Sequence, residues 1–271
     1  MIDYFLGFDF QTHAAAFVLG STRLAVFLTI APCFGGGVLP AGVRAALVAA
    51  LYAVLHPVML EAVAGFMPVT GETGLRLGGL LLKEVFVGFV LGWLSGLLFW
   101  AIEGAGIFID NQRGAAVAQE TDPLSGNASS PTGSFLFQST VYAFFASGCF
   151  LTFLVLLYGT YDIWPPAEYL PARFFTETGS ALFFGEALAD FMTNVILISA
   201  PVVLACLFTD AALGLVNRFA PQLNVYVLAM PVKCALASFL LIIYFALLMT
   251  DVPERFAAIG VDFAKLGVWM R

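Results

Sequence analysis

What this chain has least of is charge. Only 11% of its 271 residues are Asp, Glu, Lys or Arg, where roughly 25% is usual in a globular domain. Apolar residues make up 61%, against about 45–50% in ordinary chains, and the mean hydropathy is +0.96. So little polar surface cannot coat a water-soluble particle of this size, which leaves a polytopic membrane protein or a subunit wrapped by partners. Basic residues are the scarcer sign, 11 against 18 acidic ones, for a net charge of −7. That balance argues against nucleic acid as a partner, because phosphate calls for a basic footprint. The first ten residues carry Asp3 and Asp9 and no Lys or Arg. The basic start of a cleavable signal peptide is therefore missing, and the first apolar segment is expected to be retained.

Groups suited to chemistry are equally thin. The two histidines, His13 and His56, stand outside any HxxxH or HExxH spacing. Cys33, Cys149, Cys206 and Cys234 lie far apart, form no CxxC pair, and sit in or beside apolar runs, as buried inert thiols do. No GxxxxGK[ST] loop for nucleotide occurs. Ser125 and Ser129-Ser130 have no histidine after them to act as base. Asp110 with Asp122, or Glu103 with Asp110, could pair for acid–base work, but carboxylates in a polar segment are more often solvated or ion-paired. On a helix Asp110 and Arg113 would be i,i+3 neighbours and form an internal ion pair. The expectation is a noncatalytic protein with no cofactor and no metal site.

What the chain does have is apolar length. A helix across the hydrocarbon core of a bilayer needs about 20 apolar residues, and six stretches approach that: Ala14–Ala31, Val43–Leu60, Leu75–Ile102, Phe135–Leu157, Ala187–Phe208 and Val225–Met249. They are continuous rather than alternating, so strands are not expected. The first two are predicted to form a hairpin through CFGGGVLPAGVR, ending near His56-Pro57; its glycines read as turn residues, or as a close approach to a partner. Gly88, Gly92 and Gly96 form a GxxxGxxxG ridge on the third stretch, which lets another helix backbone, of this chain or another, come close. Arg23, Lys83, Glu84 and Lys233 fall well inside apolar stretches. Intramembrane charge usually faces a bundle interior or a water path. Adjacent residues do not face each other on a helix, so Lys83 and Glu84 are each expected to find a separate partner. Trp164 and its neighbouring tyrosines, in the stretch YGTYDIWPPAEYLPARFF, read as an interfacial belt. Prolines such as Pro201 and Pro231 predict kinked or half-crossing helices. Beyond Asp251 an amphipathic tail, residues 251–271, is polar enough to lie outside the bilayer.

Between the two apolar halves lies the longest polar stretch, residues 103–134, centred on AIEGAGIFIDNQRGAAVAQETDPLSGNASSPTG. It resembles the signature of the T subunits of the type III secretion export apparatus, the SctT proteins of injectisomes. Their pattern is a Glu, a small-residue run, IDNQRG, then DPxSGxxSSPLG. Matching it are Glu103, Ile109-Asp110-Asn111-Gln112-Arg113-Gly114, Asp122-Pro123, Ser125-Gly126 and Ser129-Ser130-Pro131. The flanks PCFGGGVLPAGVR, LLLKEVFVGFVLGWL, SGCF and YDIWP are similar too, so the likeness covers about residues 20 to 250. The flagellar homologue FliR shares the DP and glycine framework without IDNQRG, which favours the injectisome branch. Two positions depart from the pattern, Thr132 where the family usually has Leu and Cys149 where it usually has Gly.

The resemblance implies an all-α polytopic membrane protein of kinked helical hairpins, one integral export-gate domain over residues 1–271. It implies a bacterial inner-membrane location, with the assembled gate projecting toward the periplasm. The implied partners are the SctR and SctS gate subunits, the SctU switch protein, the inner rod and needle base, and membrane lipid. Unfolded effectors and needle components would be the cargo. Glu103, Asp110, Asn111, Gln112, Arg113, Gly114, Asp122 and Pro123 become candidates to line or plug the pore, with Asp110 and Arg113 fixing the loop. The competing expectation is an ion-coupled small-solute transporter, motivated by the broken helices and intramembrane charges; it lacks a visible inverted repeat.

Overall fold

A computed structural model describes residues 9–35, 38–65, 71–114, 130–169, 178–220, 222 and 225–269. Among them all regular structure is helical. Helix α1 is Phe10–Ile30, α2 Ala41–Ala64, α3 Gly71–Gln112, α4 Pro131–Ala146, α5 Cys149–Ile163, α6 Thr178–Phe219 and α7 Val225–Trp269. Five of these are long and apolar enough to cross a membrane, or up to six if the bent pair α4 and α5 makes one span. The chain is an all-α polytopic membrane protein.

Local chemistry explains most helix ends. Asp9 caps α1, its side chain accepting from Gln11 N at 3.2 Å, and Pro32 stops α1 because the residue before a proline avoids the helical region. A 3-10 turn, Pro32–Phe34, follows; Gly36 and Gly37 of the expected glycine turn lie outside the described residues. Other boundaries differ from expectation. Helix α2 continues past His56-Pro57 to Ala64 with Pro57 inside it. Helix α3 does not stop at Ile102 but runs on through Gln112, because the residues after Ile102 keep burying one face: Ala105, Ile109 and Asp110 are all nearly inaccessible. The stretch expected as one span from Phe135 to Leu157 is broken at Ser147-Gly148, where Gly148 has φ +75°, a conformation glycine takes without a Cβ penalty. Pro201, Pro231 and Pro253 sit inside α6 and α7, and α7 carries the tail as helix as far as Trp269.

The chain divides into two compact units, one of Met1–Gly96, Thr152–Phe184 and Ile259–Arg271, the other of Leu97–Leu151 and Gly185–Ala258. In unit one, α1 packs on α2 and on the glycine ridge of α3. A Cβ on Gly88 would lie 2.7 Å from Arg23 O, and one on Gly92 2.8 Å from Ile30 Cβ. The ridge therefore packs against this chain's own first helix; Gly96 is buried. In unit two, Phe99, Phe144 and Phe256 meet edge-on and tilted in one aromatic core, with ring centroids 4.8–5.6 Å apart. Ile109, Val202, Cys206 and Ala237 form a second core.

Candidate functional site: the signature clamp and the buried charge cluster

The string IDNQRG is the C-terminal end of α3. Arg113 N still bonds Ile109 O at 3.1 Å, and Gly114 N reaches Asn111 O at 3.3 Å. Gly114 then turns the chain at φ +80°, the left-handed position that ends many helices and favours glycine. The string SSPTG is the start of α4. Ser130 is its N-cap, accepting from Gly133 N at 3.0 Å, and Pro131 occupies the first helical position, where its missing N–H costs nothing. A stop signal and a start signal thus flank residues 115–129.

One carboxylate ties the two signals together. Asp110 is wholly buried. Its Oδ2 accepts from Ser130 Oγ at 2.5 Å and from Thr132 N at 3.0 Å, so an anion sits on the N-terminus of α4, where the helix dipole favours it. Its Oδ1 lies 2.6 Å from Arg113 Nη2, the i,i+3 ion pair expected from the spacing. The same Nη2 donates to Thr132 Oγ1 at 2.9 Å. Thr132, one of the two departures from the family pattern, supplies an acceptor that a leucine would not. The helices touch at backbone level beside this clamp. A Cβ on Gly106 would fall 2.6 Å from Gly133 Cα, and one on Gly133 would meet Glu103 O at 3.1 Å.

The other predicted site residues are placed as follows. Asn111 is exposed, while Glu103, Gln112, Arg113 and Gly114 are half-buried. Asp122 and Pro123 lie outside the described residues. Cys234 Sγ sits 3.8 Å from Arg113 O, and Met230 packs 3.5 Å from the position of a Cβ on Gly114. Helix α7 therefore lies against the end of α3. Lys233, on α7, is not isolated: its Nζ is 2.9 Å from Asp210 Oδ1 of α6.

Unit one holds the remaining intramembrane charges. Arg23 grips Glu84 with two bonds, Nε to Oε2 at 2.6 Å and Nη2 to Oε1 at 2.9 Å. It also donates to Thr160 Oγ1 at 3.1 Å and to Trp164 O at 2.8 Å, and its guanidinium lies 4.1 Å from the centre of the Tyr161 ring. Lys83 Nζ is 2.6 Å from Glu84 Oε1 and donates to Pro165 O at 2.8 Å. Adjacent residues were expected to seek separate partners, and here that is corrected. Arg23 draws the Glu84 carboxylate sideways along α3, and the long Lys83 stem bends to the same oxygen while still reaching Pro165. The interfacial reading of Trp164 is corrected as well, since Trp164 and Tyr161 are buried, with Tyr161 Oη donating to Gly20 O at 2.9 Å. Sequence reasoning missed Thr160, Tyr161, Trp164 and Pro165 as partners of these charges. The contacts span 82 to 141 positions along the chain, and no local pattern carries them.

A family model described as bacterial export proteins, family 1, matches residues 14–259. The chain belongs to that family. It is 38% identical over 172 residues to the Yop proteins translocation protein T of Yersinia pestis, a match covering 64% of this chain and 65% of that protein. It therefore spans about two thirds of that relative's length. Over nearly its whole length it resembles the surface presentation of antigens protein SpaR of Salmonella typhimurium, 29% identical across 96% of this chain and 94% of that one. The flagellar biosynthetic protein FliR of Bacillus subtilis is 28% identical across 89% and 90%. These relatives bear out the resemblance to the T-subunit family and its injectisome branch. In this export-family chain the described signature residues form the end of α3 and the start of α4.

Proposed function

We propose that the chain is a noncatalytic structural subunit of a type III secretion export gate. With R and S subunits it forms the inner-membrane channel through which unfolded effectors and needle components pass, and the switch protein and needle base are its further neighbours. The observation that carries this reading is the Asp110 clamp. A buried carboxylate ties the end of α3 to the first turn of α4, the two helices that flank residues 115–129, which suits a plug that must stay closed until substrate engages. The polar signature residues act as fasteners and closing elements of a plug.

The surface of α6 supports the assembly. Large apolar side chains are exposed along it from Leu188 through Ile196, Leu204 and Phe208 to Phe219. That stretch is roughly 46 Å long at 1.5 Å per residue, against about 30 Å of hydrocarbon. A tilt of roughly 50° would be needed to submerge it, beyond the 0–40° range of membrane helices. Asp190 and Asp210 are also exposed on α6, which lipid tails would penalise. Other protein subunits meet both requirements. A solute carrier draws on intramembrane charges that are free to bind an ion, and Arg23, Lys83 and Glu84 are committed to one another.

The test is assembly. Co-expressed with candidate R and S subunits and extracted in mild detergent, one copy of this chain is expected in a particle with several copies of each partner, weighed by native mass spectrometry. A monomer or homodimer that ignores those partners would overturn the proposal.

A further inference from the structure

Helix α1 is filled on one side and open on another. Toward α2, His13 Nδ1 lies 3.2 Å from His56 Nε2, and Phe17 meets the edge of the Tyr52 ring. Toward α3 it closes on the glycine ridge at Gly88 and Gly92. Leu81 and Leu77 stand seven and eleven residues before Gly88, on the same face of α3. The face that admits the α1 backbone at the ridge therefore carries two leucines ahead of it, which hold α1 off. Opposite them α1 presents Ala14 and Ala15, too small to close the gap. What results is a groove of about 410 Å3, lined by these four residues with Val18 and Leu19, and by Phe10 and Gln11 at the start of α1.

None of these lining side chains is charged, and Gln11 alone is polar. Phe10 is 74% exposed and Val18 48%. An unfilled apolar gap forfeits dispersion contacts along its whole lining, so an apolar occupant is favoured. The chain carries one at the right place. Residues 1–8, MIDYFLGF, lead into Asp9, directly before the first lining residue. Met1, Ile2, Tyr4, Phe5, Leu6 and Phe8 are large and apolar or aromatic, and Asp3 is the one charge. In an extended chain Phe8, Leu6 and Tyr4 share one face and Asp3 falls on the other. The lengths agree as well. From Phe10 to Leu19 α1 rises about 14 Å, and the five residues from Asp9 back to Tyr4 reach about 17 Å. Asp9 is extended, with φ −77° and ψ 91°, and its carboxylate is fastened to Gln11 N. The residue before such a cap often packs back on the first turns of its own helix.

We propose that residues 1–8 fold back along α1 and seat Phe8 and Leu6 in the α1–α3 groove, with Tyr4 at its far end beside Leu19. The segment is a strap that closes the space ahead of the glycine ridge and joins the starts of α1 and α3. Asp3, on the opposite face, stays out of the groove. The inference does not rest on the export-gate proposal.

The test puts the photo-cross-linking residue p-benzoylphenylalanine in place of Leu6 in the full chain, held in lipid nanodiscs. After illumination the adducts are mapped by mass spectrometry. A cross-link to α3 within residues 77–81 is expected. A chain whose adducts are all to lipid would hand the groove to an acyl chain and overturn the proposal, as would the lack of any link to α3. In the same labelled chain Ala15→Trp fills the groove and should abolish the α3 cross-link; its persistence would show that the segment does not sit there. Should the tryptophan variant fail to fold, Phe8→Asp places a charge on the seated face and leaves both helices unaltered. The same loss is expected, and an unchanged cross-link would equally overturn the strap.

Discussion

Asp110 and Glu84 are the two side chains on which most of the polar interior depends, and they depend on it in turn. A charge taken out of water is stable only when paired and hydrogen-bonded, and removing one partner of a buried pair costs about 3–5 kcal/mol. Glu84→Gln leaves Arg23 and Lys83 facing each other without the carboxylate between them. Loss of about that much stability is expected, read as earlier unfolding in a urea titration of the detergent-solubilised chain. The triple variant Arg23→Met, Lys83→Met and Glu84→Leu should recover most of the loss, because apolar replacement of every charged partner is often close to neutral. Failure to recover would mean that Thr160 and Trp164, not the charge pair, set the cost. Asp110→Ala is expected to leave membrane insertion intact but to lower secretion or raise ion leak, since it unties Ser130, Thr132 and Arg113 together. Normal secretion with a tight membrane would count against the plug. At the exposed start of α1, the Thr12 hydroxyl holds the Asp9 carboxyl below its ordinary range. The folded value is depressed, so the cap is fully formed above the unfolded value and is lost as pH falls through the folded one. A lower protection factor at the Gln11 amide, taken against its intrinsic exchange rate at each pH, is the expected sign as the medium is acidified.

At the scale of elements the decisive contacts are backbone against backbone. Helix α3 presents Gly104 and Gly106 two positions apart, and they should behave oppositely. A Cβ on Gly104 would meet Val195 Cγ2 at 3.5 Å, an ordinary contact, whereas one on Gly106 would overlap Gly133 Cα at 2.6 Å. Gly104→Ala is therefore expected to be neutral or to stabilise by up to about 1 kcal/mol, the usual gain of alanine over glycine within a helix. Gly106→Ala should destabilise by about 1–3 kcal/mol, the usual range for overpacking. Thermal melts of the two variants under one condition decide it, and equal shifts would show that α3 and α4 can part without loss. Gly88→Leu should prevent α1 from docking, because its neighbour is the carbonyl of Arg23 rather than a movable side chain tip.

For the whole molecule the governing quantity is length against thickness. Helices of 42 and 45 residues extend about 63–68 Å, roughly twice the hydrocarbon core. Lipid alone does not cover such elements, and an exposed apolar face that outruns the bilayer calls for protein neighbours. Solubilised without partners, the chain is expected to self-associate. Charged substitutions along α6, such as Leu204→Glu with Phe208→Glu, should reduce that self-association on size-exclusion chromatography if the face is a protein interface. They should also abolish capture by R and S subunits. Capture that survives both changes would place the interface elsewhere.

The amino-acid sequence by itself determined the solvent class, the helical state and the family. Each of these follows from composition, from apolar run length, or from a contiguous string such as IDNQRG with SSPTG. The i,i+3 pairing of Asp110 with Arg113 was legible for the same reason, since helical spacing is a local property. Tertiary structure alone decided where α3 ends, because the residues after Ile102 look polar in a row and only packing shows that one face stays buried. It also decided that Trp164 is interior, that Lys83 and Arg23 share one oxygen of Glu84, that the glycine ridge serves α1, and that His13 finds His56. Those outcomes join positions 43 to 141 residues apart. A buried polar group takes whichever partner satisfies it at least cost, and that choice is made in three dimensions after the apolar helices have packed.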